Sequence, residues 1–373
     1  MHRPVVLARL GTCAPKKDAR DDQVTVRLGV TASLELVSGS SGDARGRQTT
    51  ASGCPGVTLR RVTRPFRFGV VPRAMRSGNE WGAAAQRVEE LGYSTLLVPD
   101  HLTAPLSPWT SLSWAASATQ RLRVGTHVLN NDFRHPVLVA REAATLDRLS
   151  GGRFELGLGA GHIRSEYEQA GFAYDLAADR VERLTESVKV IKALLSGEEV
   201  TFEGRHYTVR GQRLHPEPQG RDRFPILIGG NGNRLLAMAA READIVAFTG
   251  FSHRGGGAEV ELSAFTAQGL GPKLALVREC AGKRFADLEL SALVQRVVVT
   301  SDRRAAAHKE AEEAGGALTT DEALQSPFLL FGTEEEIAQD LLDRRERFGI
   351  SYFTVFESAM EPLAPVIRKL AGR

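Results

Sequence analysis

The stretch STLLVPDHLTAP, residues 94–105, sets the reading of the whole chain. Its Leu96-Leu97-Val98 run is continuous rather than alternating, the pattern of a strand buried on both faces. The run stops at Asp100 and His101. Pro99-Asp100 is ordinary turn chemistry. A buried strand that delivers an acid and an imidazole to its carboxyl end also fits the rim of an active site.

The same rhythm extends in both directions. FRFGVV (66–71) reads as a strand and NEWGAAAQRVEELGY (79–93) as a helix capped by Asn79 and closed at Gly92. PWTSLSWAASAT (108–119) is a helix, RLRVGTHVL (121–129) a strand, and HPVLVAREAATLDRLSGG (135–152) a helix with Pro at its start and Gly past its end. RFELGLGAG (153–161) is the fourth strand, and ADRVERLTESVKVIKALLSG (178–197) is a strongly amphipathic helix. FPILIGG (224–230), ADIVAF (243–248), SALVQRVVVT (291–300) and YFTVF (352–356) bring the strands to eight. Helices at 233–242 and 333–349 fall among them. Strict alternation of buried strands and helices predicts a (β/α)₈ TIM barrel over residues 65–373. EEVTFEGRHYTVRGQRL (198–214) alternates instead and reads as a β-hairpin inserted before strand 5. The segments 249–265 and 315–332 stand where such barrels carry lids.

Residues 1–64 differ in kind. They are rich in Ser, Gly, Thr and Arg, as in SGSSGDARGRQTTASG (38–53), and read as a disordered or weakly ordered tail. They carry 11 Lys/Arg against 5 Asp/Glu, while the other 309 residues carry 37 against 40. The net charge of +3 therefore belongs to the tail, and the body has no basic surplus suited to nucleic acid. No apolar run reaches the roughly 18 residues needed to span a bilayer, and no secretory signal is legible at the N-terminus. Cys13, Cys54 and Cys280 lack metal-like or disulfide-framework spacing, which fits a reducing cytoplasm.

In a barrel of this class, chemistry sits at the carboxyl ends of the strands. Those positions hold Asp100 and His101 after strand 2, His127 to Asn130 after strand 3, GLGAGHIRSEYE after strand 4 and IGGNGNR after strand 5. The glycines let backbone approach a ligand, and strand 5 runs straight into a helix whose N-terminal amides suit phosphate. The histidines have no ligand-like spacing, and strand 1 has no His-x-His pair, so no metal is expected.

LGYSTLLVPDHL (91–102), the run from Leu122 to Gly171, the VTFEGRHYTV hairpin and PILIGGNGNRLLAMAAREADIVAF (225–248) occur in that order. Together they resemble the bacterial luciferase-like monooxygenase superfamily, in particular its coenzyme F420-dependent branch. The resemblance covers residues 66 to about 360 and implies a TIM barrel that binds F420 or FMN. It implies catalytic roles for His101 and His162. It implies cofactor contacts at Asp100, His127, Val128, Asn130, Gly159, Ala160, Gly161, Ser165, Gly229 and Gly230. It also implies a non-proline cis peptide near His127-Val128.

Two positions depart from the branch's sugar-phosphate dehydrogenases. His162 stands where they have Glu, and Pro105 where they have Trp, with Trp109 close by in sequence. Their substrate does not transfer on this basis. An imidazole can exchange a proton near neutral pH while a deazaflavin carries a hydride. Asp100 is expected to orient the ring or to tune His101. Three readings follow: an F420-dependent oxidoreductase acting on a small molecule, an FMN-dependent monooxygenase fed by a separate reductase, or a flavin-binding barrel without turnover. A homodimer through the outer helices is a further expectation.

Overall fold

A computed structural model describes residues 64–373 apart from 75, 216–223, 255–258 and 263. The expectation of a weakly ordered tail falls almost wholly outside these residues. Eight parallel strands close into a barrel: β1 (Arg67–Val71), β2 (Thr95–Val98), β3 (Arg123–Thr126), β4 (Phe154–Gly159), β5 (Ile226–Gly229), β6 (Ile245–Phe248), β7 (Glu289–Val294) and β8 (Ile350–Phe356). Each pairs with its neighbour in sequence, β8 pairs with β1, and β3 pairs with β4. A two-residue strand, Leu129–Asn130, carries the β3 side up to the end of β4.

The first helices around the barrel are α1 (Gly78–Glu90), α2 (Pro108–Ala118), α3 (Pro136–Leu149), α4 (Arg164–Ala170), α5 (Ala177–Leu195) and α6 (Asn233–Glu242). The α1 cap is Ser77 rather than Asn79: the Ser77 N–H donates to Glu80 Oε2 at 2.8 Å. Helix start signals compete when Ser, Gly and Asn lie together, and here Glu80 decides by closing a capping box. The inserted hairpin is present as Val200–Glu203 paired antiparallel with Thr208–Gln212.

Strand residues of one parity point to the helices and the others into the barrel. The inner set includes Val71, Leu97, Leu227, Ile245, Ala247, Leu293 and Tyr352, with Val128 and Phe356 packed against them. Charge closes the amino-terminal end. Glu155 is 2% exposed and accepts hydrogen bonds from Arg67, Arg123 and Tyr352. Burial raises this carboxyl, but Arg67 and Arg123 outweigh it and hold it below the usual range.

Two expectations need correction. SALVQRVVVT is not one barrel strand: β7 ends at Val294, and Arg296–Val299 leaves to pair in parallel with Leu329–Gly332. The segment 315–332 is not a lid in its packed part. Leu318, Ala323 and Phe328 to Phe331 are all buried, because this added two-stranded sheet needs an apolar cover of its own. Segment 249–265 includes a hairpin of Ser252–Arg254 with Glu259–Glu261.

Candidate active site

The β2 exit behaves differently from the expectation for Asp100. Asp100 is 6% exposed, and its Oδ2 accepts the Asn130 N–H at 3.0 Å. Arg134 clamps both carboxylate oxygens. The side chain therefore holds the β3 exit, and its hydrogen bonds go to Asn130 and Arg134. His101 pairs with Glu166, which the sequence reading did not select. Glu166 Oε2 lies 3.2 Å from His101 Nδ1, and Thr103 donates to Oε1 at 3.1 Å. Burial would raise the Glu166 carboxyl, yet the bonds from His101 and Thr103 leave it below its ordinary value. An ionised acceptor at Nδ1 places a proton on that atom, so the Nε2 of a neutral ring carries the lone pair.

His162 meets His101 edge to face, with ring centroids 5.4 Å apart. Its carbonyl accepts from Tyr174, whose ring lies beneath the Arg180 guanidinium. Fully buried Tyr167 ties the β3 and β4 exits together by donating to Asn130 Oδ1 at 2.9 Å. Gly161, at φ +72°, passes so close to this pair that a Cβ would overlap the Tyr167 hydroxyl. Ala160 and Gly161 present carbonyls to Arg180.

The His127–Val128 peptide is cis, as expected. Val128 lies over Gly157, Gly159 and Gly229, each of which would bring a Cβ within 3.2 Å of it or closer. A valine on a glycine floor gives the mouth a flat apolar base. His127 is partly exposed as a residue, but its Nε2 is buried without a hydrogen-bond partner among the described residues. Burial lowers its pKa from 6.5 to about 4, so at neutral pH it is an uncharged core group.

On the opposite side, the Gly230 N–H donates to the Ala247 carbonyl at 3.0 Å and is not available to an anion. The open helix end lies one residue beyond Asn231, at Gly232. The α6 N-cap is Gly232, which offers no side-chain cap, and a Cβ built there meets nothing within 4 Å. Asn231 is buried, donating to Thr249 and the Phe251 carbonyl, while its Oδ1 has no partner among the described residues. Lys273 Nζ reaches Asn233 at 2.7 Å, adding positive charge to this helix end.

Of the remaining expected residues, Ser165 is exposed on α4. Trp109 packs against Phe154 and lines a groove with Leu138, Glu142 and Leu146. Among the described residues no cluster of three or more His, Cys, Asp or Glu could hold a metal, and no helix is long and apolar enough to cross a membrane.

Residues 62–352 match the family described as luciferase-like monooxygenase. The F420-dependent glucose-6-phosphate dehydrogenase of Microbacterium testaceum is 33% identical over 196 residues, 49% of this chain and 56% of that protein. The 4-hydroxyprotoasukamycin monooxygenase of Streptomyces nodosus subsp. asukaensis is 36% identical over 149 residues, 39% of each. The matched stretch thus spans about half or less of these curated relatives. An F420-dependent secondary alcohol dehydrogenase, solved with an F420-acetone adduct, superposes with a TM-score of 0.64 at 19% identity. That match covers 82% of this chain and 98% of the other, and shows a shared fold.

Proposed function

The chain belongs to the luciferase-like monooxygenase family, and on that premise we propose that it is an F420-dependent oxidoreductase acting on a small hydroxyl- or carbonyl-bearing substrate. The observation that carries this reading is the His101–Glu166 pair at the β2 exit, a proton carrier fixed through one nitrogen with the other left for substrate. Bound F420 would supply a two-electron hydride carrier. The residues fit such a group: Val128 on its glycine floor would back a planar ring. The uncapped start of α6, with Lys273 beside it, would hold an anionic phosphate.

In this scheme His101 Nε2 takes the hydroxyl proton when the substrate is oxidised and returns it in the reverse direction. Glu166 is the positioning residue that keeps Nδ1 protonated and the ring in place. Asp100 acts at one remove, by holding Asn130 and Arg134. His162 forms one wall beside the imidazole.

The test is an anaerobic screen of small alcohols against oxidised F420, with His101→Ala as control. General acid–base groups contribute about 10² to 10⁴ in rate, so the variant should lose at least about 10² of turnover. Equal rates in both proteins would remove His101 from the mechanism. The similarity to a named monooxygenase favours a second reading, in which reduced FMN from a separate reductase reacts with O₂.

We also propose a homodimer through α2 and α3. Trp114, Leu138 and Leu149 are 48%, 52% and 76% exposed there, an apolar face of the kind that oligomers cover. Light scattering should give a dimer that Trp114→Glu converts to monomer. A monomeric parent protein at micromolar concentration would rule it out.

A further inference from the structure

Past β1 the chain presents two arginines, Arg73 and Arg76. Glu357, just past β8, clamps this segment: Oε2 accepts the N–H groups of Arg73 and Ala74 at 3.0 and 3.2 Å. The other oxygen pairs with Arg76 Nη2. This carboxylate thus pairs with one guanidinium, that of Arg76, and meets Arg73 only through its backbone. Arg76 Nη1 is buried with no hydrogen-bond partner among the described residues. The Arg73 side chain makes no hydrogen bond or ion pair with any described residue. Its guanidinium carbon lies 3.8 Å from the centroid of the Phe356 ring. One face is covered and the other is open, and the covered face lowers the Arg73 pKa through desolvation.

The position matters as much as the charge. Phe356 packs with Val128 against the inner core, so Arg73 stands on the residue that closes the barrel interior beside the cofactor platform. In the strand order β8-β1-β2, the Arg73 loop is next to the exit that carries His101. The uncapped α6 helix, assigned to the cofactor phosphate, belongs to the far side of the ring of strands.

We propose that Arg73, supported by Arg76, is the anchor for an oxyanion on the substrate, a carboxylate or a phosphate whose other end presents the reacting carbon to His101. Stacking on Phe356 holds the guanidinium plane in one orientation without using its N–H donors, which leaves the fork free for a bidentate contact. Arg73 is exposed beyond the Phe356 contact, so the fork faces solvent and is open to an incoming anion. The placement on the substrate side rests on the cofactor reading above, but the anion site itself does not.

Inorganic phosphate and acetate are titrated by calorimetry into the full-length protein, first alone and then saturated with F420. Wild type should bind one of the two anions in both states. Arg73→Gln should weaken that binding by at least about tenfold, the loss of a charge-assisted pair, and leave F420 affinity unchanged. Arg73→Lys should recover part of the anion affinity, and an unchanged thermal melt excludes misfolding. Equal anion affinity in wild type and Arg73→Gln overturns the proposal. So does anion binding that disappears on loading F420, since it would belong to the α6 site. If F420 fails to bind at all while Arg73-dependent anion binding persists, the cofactor reading falls and the anion site stands.

Discussion

Replacing His101 and Glu166 singly and together tests the central pair without knowledge of a substrate. Glu166 is 3% exposed and accepts from two donors, His101 at 3.2 Å and Thr103 at 3.1 Å. Hydrogen bonds to charged groups contribute about 1.5–3 kcal/mol. The His101 side chain is 36% exposed, which calls for the lower part of that range. His101→Ala should therefore destabilise the protein by about 1–2 kcal/mol, chiefly by leaving a buried carboxylate short of one donor. In a Glu166→Gln background no such charge remains, and the same replacement should have little effect. Urea unfolding of the four proteins at pH 7 gives the coupling energy directly, expected at about 1–2 kcal/mol. Additivity within about 0.5 kcal/mol would mean that the pair is not formed in solution. The assignment of Glu166 as the group that orients His101 would then be withdrawn.

Three further outcomes follow from the geometry. Gly232→Glu should weaken cofactor binding by about 1–3 kcal/mol through charge repulsion at the helix start, without lowering the melting temperature, because its Cβ enters open space. Gly230→Val should instead unfold or distort the chain, since that glycine has φ +147° and its Cβ would strike Leu235; a stable Gly230→Val protein would contradict the β5 exit geometry. His127 takes up a proton at about pH 4 when folded and at its ordinary 6.5 when unfolded, so its contribution of about 3 kcal/mol is present above pH 6.5 and is lost as pH falls towards 4. His127→Gln should flatten the stability profile over that window, and an unchanged slope would show that the ring is solvated.

Much of this architecture is visible in the sequence because barrel strands announce themselves as short continuous apolar runs with helices between. STLLVP and PILIGG became β2 and β5 for that reason. RVVVT was misassigned because apolar content does not say which partner a strand pairs with, and Leu329–Gly332 captured it. The site was less legible. Asp100 stands beside His101 in sequence, yet Arg134, 34 positions away, takes its carboxylate. Glu166 sits in a short helix among Arg164, Ser165 and Glu168, where a charged residue reads as solvent-facing. Its sequence neighbours give no signal, because only the packing of α4 against the β2 exit brings Glu166 to His101. The Gly229-Gly230 pair drew the eye to a phosphate site, but register with β6 uses the Gly230 amide and moves the open position to Gly232.

The most direct test of the account is a parallel fluorescence titration of the purified protein with F420 and with FMN, read on the wild type and on Gly232→Glu. The account predicts saturable F420 binding at least about tenfold tighter than FMN, weakened in the variant. Preferential binding of FMN, or F420 binding indifferent to Gly232→Glu, would contradict it.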